Sequence, residues 1–317
     1  MSITQSSLWG IVLAGGEGVR LKEFVQERIG TDRPKQFCAF VGTRTMLERT
    51  VRRARLLIPP HRLIVSGTAH HRRLLFQSLG NKPPGSILLQ PQNRDTAAGI
   101  LFPLIHILKA APHAHVAILP SGHFVLPGRR LMQEVSHAAD FLHRTKSDSP
   151  IILATEATYP ETEYGWIAPG GPVTADKPGS IFHVEHFAEK PSSREAELML
   201  SEKWCWNTMV LVARGAALLE CFRSALPDIV ACFELVQRYL GSHVEQTVTD
   251  EVYRMIPSLN FSTTVLAQQP DRLLVLPTRQ IRWSDWGNKE RILQSLATLR
   301  YAERASLVPA VDLGIPA

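Results

Sequence analysis

Short apolar runs alternate with stretches of helical periodicity through the first half of the chain, with only brief polar connections between them. Residues 8–14, 62–66, 87–90, 116–119 and 151–155 read as strands, and residues 46–57, 70–79, 96–110 and 130–143 as helices. That repetition predicts an α/β fold with a mostly parallel sheet covered by helices on both faces. Ligands of such sheets bind beyond the carboxyl ends of the strands, where loops 15–20, 91–96 and 120–123 converge on one rim. The second half changes rhythm. Residues 164–167, 181–187 and 206–213 read as strands interrupted by a polar helix at 193–203, which predicts a mixed-sheet extension forming the second wall of a cleft. Residues 216–239 then read as helical, 273–283 as strand, 288–301 as an amphipathic helix and 306–317 as a flexible tail. A single domain over 1–305 holds all of this, in two halves that divide near residue 160.

Composition narrows the partners. A chain of 317 residues with 44% hydrophobic content can bury a full core. The formal net charge is +6, but the basic residues are scattered without a long run or an aromatic-interleaved patch. Phosphate-bearing small molecules fit that mild excess better than nucleic acid. Cys38, Cys205, Cys221 and Cys232 have neither zinc-site spacing nor the density of a disulfide framework, which points to a reducing cytoplasm. Residues 1–7 lack a basic leader, and no apolar run approaches a membrane span, so neither export nor a membrane partner is expected.

The strand at 8–14 runs directly into Gly15-Gly16-Glu17-Gly18-Val19-Arg20-Leu21, and Arg33-Pro34-Lys35-Gln36-Phe37 follows. Glycines at a strand end let backbone N–H groups approach phosphate oxygens, and Arg20 and Lys35 add fixed positive charge. A dinucleotide fingerprint would need a third glycine where Leu21 stands, which disfavours a dehydrogenase. A P-loop would need Gly-Lys-Ser or Gly-Lys-Thr where the chain has Gly18-Val19-Arg20. On the loop alone, a tight strand-to-helix turn with an incidental arginine remains an alternative.

Further motifs follow in order: Gln90-Pro91-x-Asn93-Arg94-Asp95-Thr96-Ala97, Pro120-Ser121-x-His123, Tyr164-Gly165, Glu189-Lys190-Pro191, Trp206-Asn207 and Trp283-x-Asp285-x-Gly287. Together with the glycine loop and Pro34-Lys35-Gln36-Phe37, this series resembles the sugar-phosphate nucleotidyltransferases, most closely the mannose-1-phosphate guanylyltransferase branch. The resemblance runs over residues 8–299 and implies a Rossmann-like, glycosyltransferase A-like fold with a sugar-binding extension. It implies attack of a sugar 1-phosphate on the α-phosphorus of a nucleoside triphosphate, with GTP, mannose 1-phosphate and Mg²⁺, or Mn²⁺ as an alternative, as the expected participants. By the same resemblance, Arg20 and Lys35 are catalytic, and Leu13, Ala14, Gly15, Gly16, Gly18, Gln90, Arg94 and Thr96 hold the nucleotide. Gly165, Glu189, Lys190 and Asn207 hold the sugar phosphate. A homodimer is left open.

The chain also departs from the pattern. The loop after the fourth strand normally carries one of two metal-binding aspartates, and here that position is Gly122, leaving Asp285 as the remaining carboxylate. Loss of one such contact corresponds to about 3 to 4 kcal/mol of transition-state stabilisation. Met209 stands where a glycine is usual, and Val19 where a hydroxyl residue is common. The isomerase-type barrel of longer relatives does not follow within these residues, so a fused second activity is not expected. Two readings therefore stand: a guanylyltransferase-like enzyme, or a weak or inactive homologue that binds a sugar nucleotide in a regulatory role, with Gly122 as its motive.

Overall fold

The computed structural model describes residues 7–80, 85–173 and 179–304; the expected tail at 306–317 lies outside them. The strands are β1 (Leu8–Leu13), β2 (Leu63–Thr68), β3 (Ser86–Gln90), β4 (His115–Pro120), β5 (Phe124–Leu126), β6 (Ile151–Glu156), β7 (Gly165–Pro172), β8 (Phe182–Glu189), β9 (Cys205–Arg214), β10 (Leu274–Thr278) and β11 (Arg282–Ser284). The helices are α1 (Lys22–Ile29), α2 (Met46–Ala54), α3 (Arg72–Leu79), α4 (Asp95–Ala110), α5 (Gly128–Thr145), α6 (Ser193–Ser201), α7 (Gly215–Ala225), α8 (Pro227–Tyr239), α9 (Glu245–Met255) and α10 (Lys289–Arg304).

Nine strands form one sheet in the order β3-β2-β1-β4-β9-β6-β10-β8-β7. β1, β2, β3 and β4 pair in parallel, as the alternating first half predicts. β9 then inserts antiparallel between β4 and β6, and β7 and β8 extend the sheet antiparallel, so the sheet is mixed. The strands next to β1 are apolar on both faces, and one core lies on each side. Ile100, Leu104, Leu218 and Phe233 of α4, α7 and α8 pack against one face; Leu47, Val51, Val135 and Leu142 of α2 and α5 pack against the other. Fully burying each such aliphatic side chain contributes about 1.5–3 kcal/mol, so the two cores fix the strand ends that carry the loops.

Three boundaries differ from the sequence reading. The helical stretch at 216–239 breaks between α7 and α8, because Pro227 cannot continue a hydrogen-bonded helix and instead occupies the first turn of α8. The strand at 273–283 divides into β10, in the main sheet, and β11, which pairs with β5 in a separate ribbon. The apolar pattern predicts neither α1 nor α9; α9 is largely polar, and its buried stripe is confined to Thr249, Val252 and Tyr253. No helix among the described residues is long and apolar enough to cross a membrane.

Candidate active site

The glycine loop leaves the end of β1 and turns at Gly18, whose φ of 67° is left-handed. A Cβ there would lie 2.9 Å from the Pro34 backbone, so both the dihedral and the close approach require glycine. Gln36 holds the loop from behind, donating through Nε2 to the carbonyls of Gly16 at 2.7 Å and Ala14 at 3.3 Å. Sequence reasoning quoted Gln36 without giving it this role. The Pro-Lys-Gln-Phe segment is thus a brace for the glycine loop as well as the source of Lys35.

Leu13, Gly15, Gly16, Gly18, Arg20, Lys35, Gln90 and Thr96 line one cleft of about 470 Å³ at the carboxyl ends of the parallel strands. Ala14 lies just beneath it, giving its N–H to Ser66. Gln90 is buried at the cleft floor between Ser66 and the Tyr253 hydroxyl, each at 3.3 Å. Thr96 accepts the Phe261 N–H at 2.8 Å. Arg94 does not line the cleft. Its Nε donates to the Tyr253 carbonyl at 2.7 Å and its Nη2 to Gln92 at 2.8 Å, so it fastens the loop to the end of α9. The helix beyond begins at Asp95, whose N–H is received by Asn93 Oδ1 at 3.0 Å.

The sugar-side residues gather elsewhere, on β7, β8 and β9. Gly165 pairs with Glu189 across β7 and β8, and a Cβ on Gly165 would meet Glu189 Oε2 at 2.6 Å and Asn207 Cβ at 3.2 Å. Asn207 is buried; its Oδ1 receives the Met209 N–H at 2.8 Å. Lys190 is exposed, with its backbone N–H bonded to the Tyr164 carbonyl. Met209 has a φ of 58° at a register shift of β9 against β6. The usual glycine would be unstrained there, and a left-handed side-chain residue costs about 1–2 kcal/mol.

Glu189 is partly buried, and its Oε2 has no hydrogen-bond partner among the described residues. Burial pushes its carboxyl up to about 7, against the opposing pull of Lys190. Because that value lies above the ordinary one near 4.5, the folded chain holds an extra proton between the two. Stability from this group is therefore full below about pH 4.5 and declines as pH rises to about 7. Glu189→Gln is expected to gain about 1–3 kcal/mol over the parent at pH 8 and nearly nothing at pH 4.5. Urea midpoints at the two pH values check this, and parallel pH dependence of parent and variant would refute it.

Asp285 sits in a network that the sequence did not announce. Arg291, at the start of α10, donates through Nη1 to Asp285 Oδ1 at 2.8 Å, through Nε to Glu161 Oε2 at 3.0 Å and through Nη2 to Glu163 Oε2 at 2.6 Å. Its guanidinium also lies 4.5 Å above the Tyr164 ring. Arg20 pairs with the other oxygen of Glu163 at 2.6 Å. Burial alone would raise the Asp285 carboxyl, but Lys35, Arg291 and His123 outweigh it and hold the group below its usual range. His123 is held neutral, at about 3, by burial and by the charge of Lys35.

A Cβ on Gly122 would lie 2.6 Å from Lys35 Cε and 3.4 Å from Nζ, so Lys35 fills the space an aspartate would need. Its ammonium donates to the carbonyls of Asp285 and of Trp286, the latter at 3.1 Å. Among the described residues no three or more His, Cys, Asp and Glu side chains stand together as a metal-ligand set. Asp285 Oδ1 is already engaged by Arg291 and by the Gly287 N–H at 2.7 Å. Hard cations such as Mg²⁺ need oxygen donors, and here two fixed cations crowd one engaged carboxylate. Asp285 alone does not enclose a divalent ion, which would take most of its ligands from substrate phosphates and water.

Residues 9–301 match the family model described as nucleotidyl transferase. The chain belongs to that family. Among curated relatives of this nucleotidyl transferase chain is a mannose-1-phosphate guanylyltransferase of Salmonella muenchen, 28% identical over 289 residues, covering 89% of this chain and 58% of the relative. The xanthan biosynthesis protein XanB of Xanthomonas campestris is 28% identical over 293 residues, covering 91% of this chain and 59% of the relative. The chain thus spans under two thirds of the length of these relatives. A solved Thermus thermophilus structure, described as a mannose-1-phosphate geranyltransferase, superposes with a TM-score of 0.74 at 27% identity, covering 90% of this chain and 79% of that one. A UTP-bound UGPase of Acinetobacter baumannii shares the fold, with a TM-score of 0.54 at 14% identity over 92% of this chain and 93% of that one. The nucleotidyltransferase α/β fold expected from the motif series is the fold observed.

Proposed function

We propose that this chain transfers the nucleotidyl group of a nucleoside triphosphate, GTP before others, to mannose 1-phosphate, releasing pyrophosphate. The observation that carries the reading is the convergence of the glycine loop, Arg20 and Lys35 on one cleft of about 470 Å³. An oxygen of the sugar phosphate attacks the α-phosphorus, the bond to the β-phosphate oxygen breaks, and no protein nucleophile is required. Catalysis is then alignment of the two phosphates and neutralisation of developing charge by fixed cations. Arg20 faces the leaving pyrophosphate and Lys35 the reacting phosphates, while Gly165, Glu189, Lys190 and Asn207 receive the sugar phosphate. The choice of guanine and mannose is supported by the names of the relatives. No step runs through the divalent ion expected from the resemblance, because it lacks a protein-built seat.

One observation favours a second reading, a sugar-nucleotide binder with little turnover. Lys35 fills the space beside Gly122, and Arg291 occupies Asp285. Pyrophosphate release should be measured with each common nucleoside triphosphate against a panel of sugar 1-phosphates, in Mg²⁺, Mn²⁺ or EDTA, beside direct binding of GDP-mannose. Release with GTP and mannose 1-phosphate supports the enzyme. Binding without release supports the second reading, and absence of both removes the two together.

A further inference from the structure

A second cavity, of about 200 Å³, lies between α2, β5 and the first turn of α5. No residue lines both it and the nucleotide cleft. Among the described residues five arginines line it, Arg44, Arg49, Arg52, Arg53 and Arg129, and no carboxylate does. Arg53 is only 9% exposed, yet its Nη2 is satisfied by a neutral partner, Thr50 Oγ1 at 3.2 Å, and its Nε has no partner among the described residues. Trp286, which also lines the cavity and is 2% exposed, likewise has no partner for its Nε1 among the described residues. Burial and the neighbouring Arg49 together push Arg53 down to about 10. A buried guanidinium without an anion is costly, and orphan buried donors are rare in folded proteins.

The rest of the wall is aromatic. Phe124 stacks on Trp286 with centroids 5.1 Å apart, and Phe40 meets the same indole edge-on at 5.3 Å. Guanidiniums prefer planar or tetrahedral oxyanions, and a phosphomonoester offers three oxygens and nearly two negative charges to share among several of them. A bare inorganic ion would leave the aromatic wall unused. We propose that this cavity binds a small organic phosphate, with the phosphate on the arginines and an apolar or planar group on Phe40 and Phe124, which shield Trp286. The site is separate from the nucleotide cleft and does not depend on the transferase reading.

Phenyl phosphate is the minimal probe of that chemistry, with inorganic phosphate and phenol as its two halves. Calorimetric titration of the full chain is expected to give saturable binding of phenyl phosphate, at least about tenfold tighter than either half. The surface double variant Arg52→Ala/Arg129→Ala, which disturbs no core residue, should weaken it about tenfold or more, while Arg20→Ala in the nucleotide cleft should leave it unchanged. Quenching of tryptophan fluorescence should follow the same curve. No saturation, equal affinity for inorganic phosphate, or loss in Arg20→Ala with retention in the double variant would each overturn the assignment.

Discussion

Arg291→Ala is expected to lower folding stability by about 3–5 kcal/mol. Arg291 is 5% exposed and gathers three carboxylates, Asp285, Glu161 and Glu163, whose side chains are 17%, 11% and 37% exposed. Removing the guanidinium leaves Asp285 and Glu161 with their charge out of water, and it removes the cation stacked on Tyr164. Breaking a buried ion cluster from one side costs far more than the cluster contributes as a whole, because the surviving charges keep their desolvation penalty. The effect should show as a drop in the urea midpoint and a melting temperature lower by at least about 5 °C. Arg291→Lys keeps the charge but not the fork that reaches three acceptors, so it should fall between.

The pH profile makes the same prediction specific. In the parent, Asp285 has a folded-state value below its ordinary one near 3.8, so it adds stability above that value which is lost as pH falls through the folded one. Without Arg291, burial meets less opposition and the group should rise from its parent position, so that the variant is relatively less damaged in mild acid than at pH 7. A loss under about 1 kcal/mol, with no change in pH dependence, would mean that water already screens the cluster.

The sequence exposes structure where a local signal coincides with a global one. The strand ending in glycines, the periodic helices of the first half and the first parallel strands were legible because each apolar run serves one layer of a sheet covered on both sides. The Arg291 cluster was not. Glu161 and Arg291 are separated by 130 residues, and nothing within either segment distinguishes them from solvated charges. Only the docking of α10 beside the loop before β7 makes the arginine a buried hub. Arg94 shows the reverse case: its motif suggested a ligand contact, and in the structure its Nε donates to an α9 carbonyl and its Nη2 to Gln92. The proline that divides α7 from α8 was a visible signal left unused, and the insertion of β9 between β4 and β6 had none, since periodicity does not report strand order. At Gly122 the sequence revealed a missing carboxylate, but not that the Lys35 stem occupies its place.

That occupancy makes Lys35 the residue whose loss should most reduce activity. Lys35→Ala is expected to lower nucleotidyl transfer about a hundred- to thousandfold, the scale of one transition-state charge contact. Arg20 is paired with Glu163 and Arg291 with three acids, whereas the Lys35 ammonium is held by two backbone carbonyls. Its nearest carboxylate, Asp285, is shared with Arg291, so its charge is only partly neutralised. Burial and the positive charges of Arg20 and Arg291 hold it at about 8, with Asp285 opposing. In the free protein kcat/KM should accordingly fall as pH rises through about 8, and that alkaline limb should vanish in the residual activity of Lys35→Ala. Gly122→Asp provides the converse, because an aspartate there must displace the Lys35 stem and set a carboxylate beside the ammonium, moving the alkaline limb upward. Pyrophosphate release between pH 6.5 and about 9.5 in the three proteins would resolve it. If Lys35→Ala kept most of its activity and the limb, the working charge would be Arg20, and Lys35 would be a filler for the space left by a missing acid.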